Sequence, residues 1–207
     1  APPPMLTVVR RWPLIAAIAW LVIASVLVLR YALQLRRVHR ALGTGSPVTS
    51  ADLLEPMDRL AAGRRAIRLS TSAVCPVPLA LSRGRIVLPP RFLEELDREQ
   101  QQAALAHELA HVVRRDPEWR ITIDIIERVL CFQPLNRLAR ARLSDAAEFL
   151  CDEWAVQQTQ SPLALARCLS VVASWWTPAD RLPAGVSAMA RSDSAMVQRV
   201  TRILNEP

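Results

Sequence analysis

The run WPLIAAIAWLVIASVLVL, residues 12–29, restricts the possible folds of this chain more than any other stretch. It carries no charge, and a water-exposed surface does not tolerate so long an apolar stretch. As a helix it reaches roughly 27 Å at about 1.5 Å per residue, enough to cross the hydrocarbon of a bilayer. Trp12 and Tyr31 stand at its ends, where amphipathic rings favour the interface. Arg10 and Arg11 could open a signal peptide instead. The run is long for that purpose, and no small-x-small cleavage site follows it. A retained transmembrane helix is therefore expected over 12–29, after a short N-terminal segment, 1–11.

The formal net charge of +7 would usually suggest nucleic acid as a partner, but its distribution argues otherwise. Residues 1–42 hold Arg10, Arg11, Arg30, Arg36, Arg37 and Arg40 and no acid, whereas the rest sets 20 arginines against 19 acids. The excess thus belongs to the anchor, and no direct nucleic-acid contact is expected. Four arginines and His39 follow the apolar run, against two arginines before it, which places the C-terminal body in the cytoplasm by the positive-inside rule. The basic segment after the span would rest on anionic lipid. The four cysteines form no CxxC pair and read as reduced thiols packed as small apolar side chains.

Residues 30–50 read as a basic juxtamembrane segment ending in a flexible linker, GTGSPVTS. The body, 51–207, reads as one mostly helical domain with a small sheet, an α+β class. ADLLEPMDRLAA suggests a short helix, AIRLSTS and PLALSRGRIVLPP suggest strands, and SRG suggests the turn of a hairpin. The edge near RIVLPP could accept a substrate strand. Asp97 and Gln100 form a capping-box pattern ahead of a long helix. Its apolar stripe, Leu105, Leu109, Val112 and Val113, should dock on the core while the opposite face fronts a cleft. Asp116-Pro117 should cap the next helix, a long one follows Pro134, and Ser161-Pro162 opens another. TPADRLPAG reads as a loop, and SAMVQRVTRILN as a last amphipathic helix.

Two of the three histidines in the chain stand in HELAH, four residues apart, on the face away from that stripe. On a helix, His107 and His111 project side by side and can hold one metal ion, while Glu108 is placed to act as general base on a water there. A zinc site needs a third protein ligand, and no histidine follows His111. Asp124, Glu127, Glu148 and Glu153 are candidates. Glu148 has the stronger case because EFLCD sets it four residues before Asp152 on one helical face, so that one acid can bind metal while the other orients a ligating histidine. Cys151 between them is better read as packing beneath the site than as a ligand.

HELAHVVRRD followed by EFLCDEWAV resembles the membrane-embedded antirepressor metallopeptidases of the β-lactam sensor-transducer type. LALSRGRIVLPPRFLEELDREQQQAALAHELAH is similar to the approach to the motif in that family. CFQPLNRLARARL is similar to the link to its glutamate helix, although Gln133 stands where Asn is expected. The resemblance covers roughly residues 50–205. It implies a gluzincin-like fold, with His107, His111 and Glu148 as zinc ligands, Glu108 as catalytic glutamate and Asp152 as an acid behind the ligands. It also implies cytoplasmic proteolysis of a protein or peptide, such as a transcriptional repressor. One span is legible where family members have several, and no penicillin-binding segment is legible, so the sequence offers no support for a β-lactam role. A housekeeping or prenyl-protein-type zinc peptidase shares HExxH, and a non-catalytic anchored scaffold is the reading from another class. Oligomeric state has no signature in the sequence.

Overall fold

The computed structural model describes residues 4–49, 53, 54, 57, 67–175 and 193–205. The loop expected over 177–185 lies outside them. Of the short helix expected over 51–62, the described residues are Leu53, Leu54 and Met57, all helical.

The apolar run lies within one continuous helix, α1 (Pro4–Ala41). Leu14, Ile15, Ile18, Leu21 and Val22 point outward, as a lipid-facing surface requires. Toward its end the helix joins the body of the chain. Val38, together with Leu42 in the following 3₁₀ turn, packs with Leu79, Leu81 and Val87 of the sheet. His39 reaches Ser82 Oγ at 3.3 Å, and Arg85 donates to the Leu42 carbonyl at 3.1 Å. The stretch expected as a flexible linker is also tied down. Ser46–Pro47 (β1) pairs antiparallel with Arg68–Thr71 (β2), and Val48 N donates to the Leu69 carbonyl at 3.1 Å. Gly45 permits that approach, because a Cβ there would collide with the Thr71 carbonyl oxygen.

Leu79–Leu81 (β3) and Arg85–Leu88 (β4) form the expected hairpin, turning through Arg83 and Gly84 at positive φ. The sheet order is β1-β2-β4-β3, with β2 and β4 parallel. Because β4 is paired on both sides, the edge expected near RIVLPP is not there; among the described strands the free edge on that side is β3. Arg91–Glu95 (α2) follows the Pro89-Pro90 stop and buries Phe92.

Helix α3 (Arg98–Arg114) begins with the complete capping box, Asp97 accepting from Gln100 N while Gln100 accepts from Asp97 N. Every residue from Ala103 to Val112 is buried, so α3 is the central helix of the domain. The sheet lines one side, and Leu165, Leu169 and Val172 of α6 (Pro162–Ser174) pack on another. Full burial of such a leucine or valine stabilises by about 1.5–3 kcal/mol. The cleft expected before the histidines is instead covered by α5 (Leu135–Thr159), with α7 (Asp193–Asn205) behind it.

Helix α4 (Asp116–Val129) runs antiparallel to α1. Tyr31 donates to Asp124 at 3.0 Å, and Trp20 Nε1 donates to the Val129 carbonyl at 2.7 Å. Its start differs from expectation. Arg115, at φ 61°, ends α3 and occupies the N-cap position, whereas Asp116 is already helical and its carboxylate serves another partner.

Candidate metal centre

The i, i+4 spacing on α3 stacks the two imidazoles edge to face, with ring centroids 4.9 Å apart. Both present Nε2 to Glu148, which α5 carries across the top of α3. His107 Nε2 stands 3.5 Å from Glu148 Oε2, and His111 Nε2 stands 3.8 Å from Oε1. One ligand atom from each residue falls within 4.8 Å of the others. All three residues are buried.

Each imidazole also has an acid behind it. Asp152, one helical turn beyond Glu148, places Oδ1 3.0 Å from His107 Nδ1. Asp116 Oδ2 lies 2.8 Å from His111 Nδ1 and 3.2 Å from Arg114 Nε. Such pairs fix ring orientation and turn the Nε2 lone pair toward the shared space. Asp152 in turn accepts twice from Arg199 of α7, at 2.8 and 2.6 Å, and Arg199 Nη1 also reaches Glu148 at 3.2 Å.

The charges follow from this arrangement. Burial by itself would raise the Glu148 carboxyl, but Arg199 and the two histidines outweigh it and hold the group well below the usual carboxylate range. Asp152 and Asp116 are likewise held low against burial, the former by Arg199 and His107, the latter by His111 and Arg114. Burial would lower His107, yet Asp152 and Glu148 carry it up to about 9. Glu108 shifts the other way. Burial raises it, and the Glu148 charge adds to that, against the two histidines and a hydrogen bond from the Ala80 backbone. That bond also joins Glu108 to the edge strand β3.

The donor set fits a divalent metal. His107 Nε2 is fully buried and meets Glu148 Oε2 only at 3.5 Å, without a well-formed hydrogen bond, a costly condition for an imidazole that an electrophile between the two would relieve. Two nitrogens and a carboxylate around one space are a familiar ligand set for such an ion.

The other candidates lie elsewhere. Asp124 is engaged by Tyr31 and Arg128 against α1. Glu127 pairs with Arg140 at 2.8 Å, and Glu153 accepts from Gln157 on the surface. Cys151 Sγ sits 3.3 Å from His111 Nδ1, on the side of that ring facing Asp116. Burial, with Asp116 and Glu148 nearby, pushes its thiol pKa up, so it stays protonated and packs there. His111, Asp116 and Cys151 do form a second close group, but it shares Asp116 with Arg114.

Two residues escaped the sequence reading. Asp116 was legible only as a helix start. Arg199 interrupts the apolar stripe Met196, Val200 and Ile203 of α7, and a cation in such a stripe signals a buried acid waiting for it.

The family model of the BlaR1 peptidase M56 matches residues 5–203. No curated protein matches the chain.

Proposed function

This chain belongs to the BlaR1 peptidase M56 family, a family of membrane-associated metallopeptidases, and we propose that it is a zinc-dependent endopeptidase anchored in the membrane. Its substrate in this reading is a cytoplasmic regulatory protein, such as a transcriptional repressor. The observation that carries the proposal is the convergence of His107 Nε2, His111 Nε2 and the Glu148 carboxylate on one buried space.

A zinc ion held by these three would supply a Lewis acid that acidifies water and polarises the scissile carbonyl. Glu108 takes a proton on its carboxylate and later returns it to the leaving amine. Asp152 and Asp116 keep the two rings in the orientation that directs Nε2 inward. Arg199 keeps Glu148 ionised and fixed. Ala80 N holds Glu108 against β3, the edge along which an extended peptide could lie.

One helix among the described residues is long and apolar enough to cross a membrane. Arg30, Arg36, Arg37 and Arg40 after it, against Arg10 and Arg11 before it, support a cytoplasmic body.

The test uses the purified full chain and a candidate repressor encoded beside it. Wild type should hold stoichiometric zinc and cleave. Glu108→Gln should keep the zinc and lose about 10²–10⁴-fold in cleavage rate. A protein that cannot retain zinc, or a Glu108→Gln variant cleaving at the full rate, ends the proposal.

A further inference from the structure

Trp20 lies at the middle of the apolar run 12–29, about 13 Å from either end along the helix. At that level α1 is not alone. Its indole donates to the Val129 carbonyl at 2.7 Å and meets the Phe132 ring edge to face, with centroids 6.5 Å apart. The turn from α4 into α5 therefore sits beside the centre of the span.

We propose that this elbow, residues 130–135, is a second membrane element, sunk into the hydrocarbon of the leaflet that faces the catalytic body. The proposal rests on reading α1 as a membrane span, and its occupant is lipid acyl chain.

Three independent features suit that place. The sequence LCFQPL carries no charge, and Phe132 and Leu135 are 69 % and 63 % exposed. Ile126 and Leu138 extend the apolar surface on either side. In water such a cluster costs free energy, while in lipid it costs none.

Much of the backbone is also closed on itself. Val129 O accepts from Trp20, Leu130 O from Gln133 N and Asn136 Nδ2, Gln133 O from Asn136 N, and Pro134 O from Arg137 N. Carbonyls at a helix end ordinarily turn to water, and hydrocarbon offers none. This elbow provides donors for those four carbonyls, leaving Cys131 and Phe132 at the tip without one among the described residues.

Finally, the nearby charges are paired, with Glu127, Arg137 and Arg140 lining a pocket beside the elbow. Arg128 lays its guanidinium 4.0 Å over the Tyr31 ring, toward the end of the span. Glu127 is paired with Arg140 at 2.8 Å, with Arg137 Nε at 3.8 Å. Long cationic side chains in this position snorkel toward head groups.

Cys131 provides the probe. It is exposed at the elbow, whereas Cys75, Cys151 and Cys168 are buried. The full chain, reconstituted in vesicles of phosphatidylcholine and phosphatidylglycerol, takes a nitroxide on Cys131. Its collision rates with oxygen and with a water-soluble nickel chelate are then compared. Ile18→Cys and Val22→Cys, each in a Cys131→Ser background, report the span, and Glu99→Cys in that background reports water. Cys131 should give an oxygen-to-nickel ratio several-fold above Glu99→Cys and close to the two span sites. A water-like ratio at Cys131 with lipid-like span sites overturns the elbow alone. Shielding from both reagents overturns it too, because protein, a second copy or another helix, then covers the surface. Water-like values at Ile18→Cys and Val22→Cys overturn the span reading itself.

Discussion

Asp116 grips His111 across the break between two helices, its Oδ2 2.8 Å from Nδ1 of a ring five residues earlier. The break exists because Arg115 takes a left-handed conformation, ending α3 and re-aiming the chain so that the carboxylate returns to the ring. Truncation in Asp116→Ala leaves that imidazole free to rotate. Zinc affinity should fall about 10–100-fold, read by competition with a chromophoric chelator. Unchanged affinity would remove Asp116 from the centre.

Arg199 lies between two buried acids. Arg199→Ala leaves Glu148 and Asp152 in a low-dielectric interior without their shared cation. The metal-free chain should lose about 3–5 kcal/mol of unfolding free energy in a denaturant titration. Added zinc should restore part of it, since His107 and Glu148 would then face a cation again. A loss below about 1 kcal/mol would mean that α7 contributes little to the site.

The metal-free protein should have a stability optimum in mild acid. The folded pKa values of Glu148, Asp152 and Asp116 are depressed, so their contribution is present above the ordinary carboxylate range and disappears as pH falls through the lowered values. His107 is raised from 6.5 to about 9, so its contribution is complete below 6.5 and is lost as pH rises to about 9. Chemical denaturation of the apo chain should show lower stability at pH 9 than at pH 6. Zinc loading should reverse that trend, because ligation requires a deprotonated ring. Equal apo stability at the two values would contradict the His107 ion pair.

Gly45 lies between α1 and the sheet. Its φ of −67° suits any residue, so only the contact with the Thr71 carbonyl distinguishes glycine from alanine there. Gly45→Ala should cost about 1–3 kcal/mol by displacing β1, measured as a fall in unfolding free energy. Unaltered stability would mean that β1 yields easily.

Much of the helical frame was legible because its signals are local. The Asp97–Gln100 box, the proline after Ser161 and Pro134 before Leu135 each act within one turn, and the observed helices begin beside them. The i, i+4 histidines and the EFLCD spacing likewise place their side chains on shared faces. Pairings that depend on distant partners were hidden. Nothing near Arg68–Thr71 announces a parallel match with Arg85–Leu88, and Ser46–Pro47 looks like a linker until β2 lies beside it. Asp116 obeyed a stronger demand than capping. A buried imidazole next to it required an acceptor, and the helix start gave way. The burial of α3 on every side was also out of reach, since its coverings come from segments far along the chain.

If α1 crosses the bilayer as proposed, its unbroken run into the protein makes it a strut. From the end of the apolar stretch to Val38, where the sheet takes hold, is about 14 Å of helix with no hinge. With the elbow immersed as proposed, the candidate metal centre would be held at one height relative to the lipid surface. Reach then becomes a filter, admitting scissile bonds that can be presented at that height and refusing those whose folded neighbours strike the membrane first.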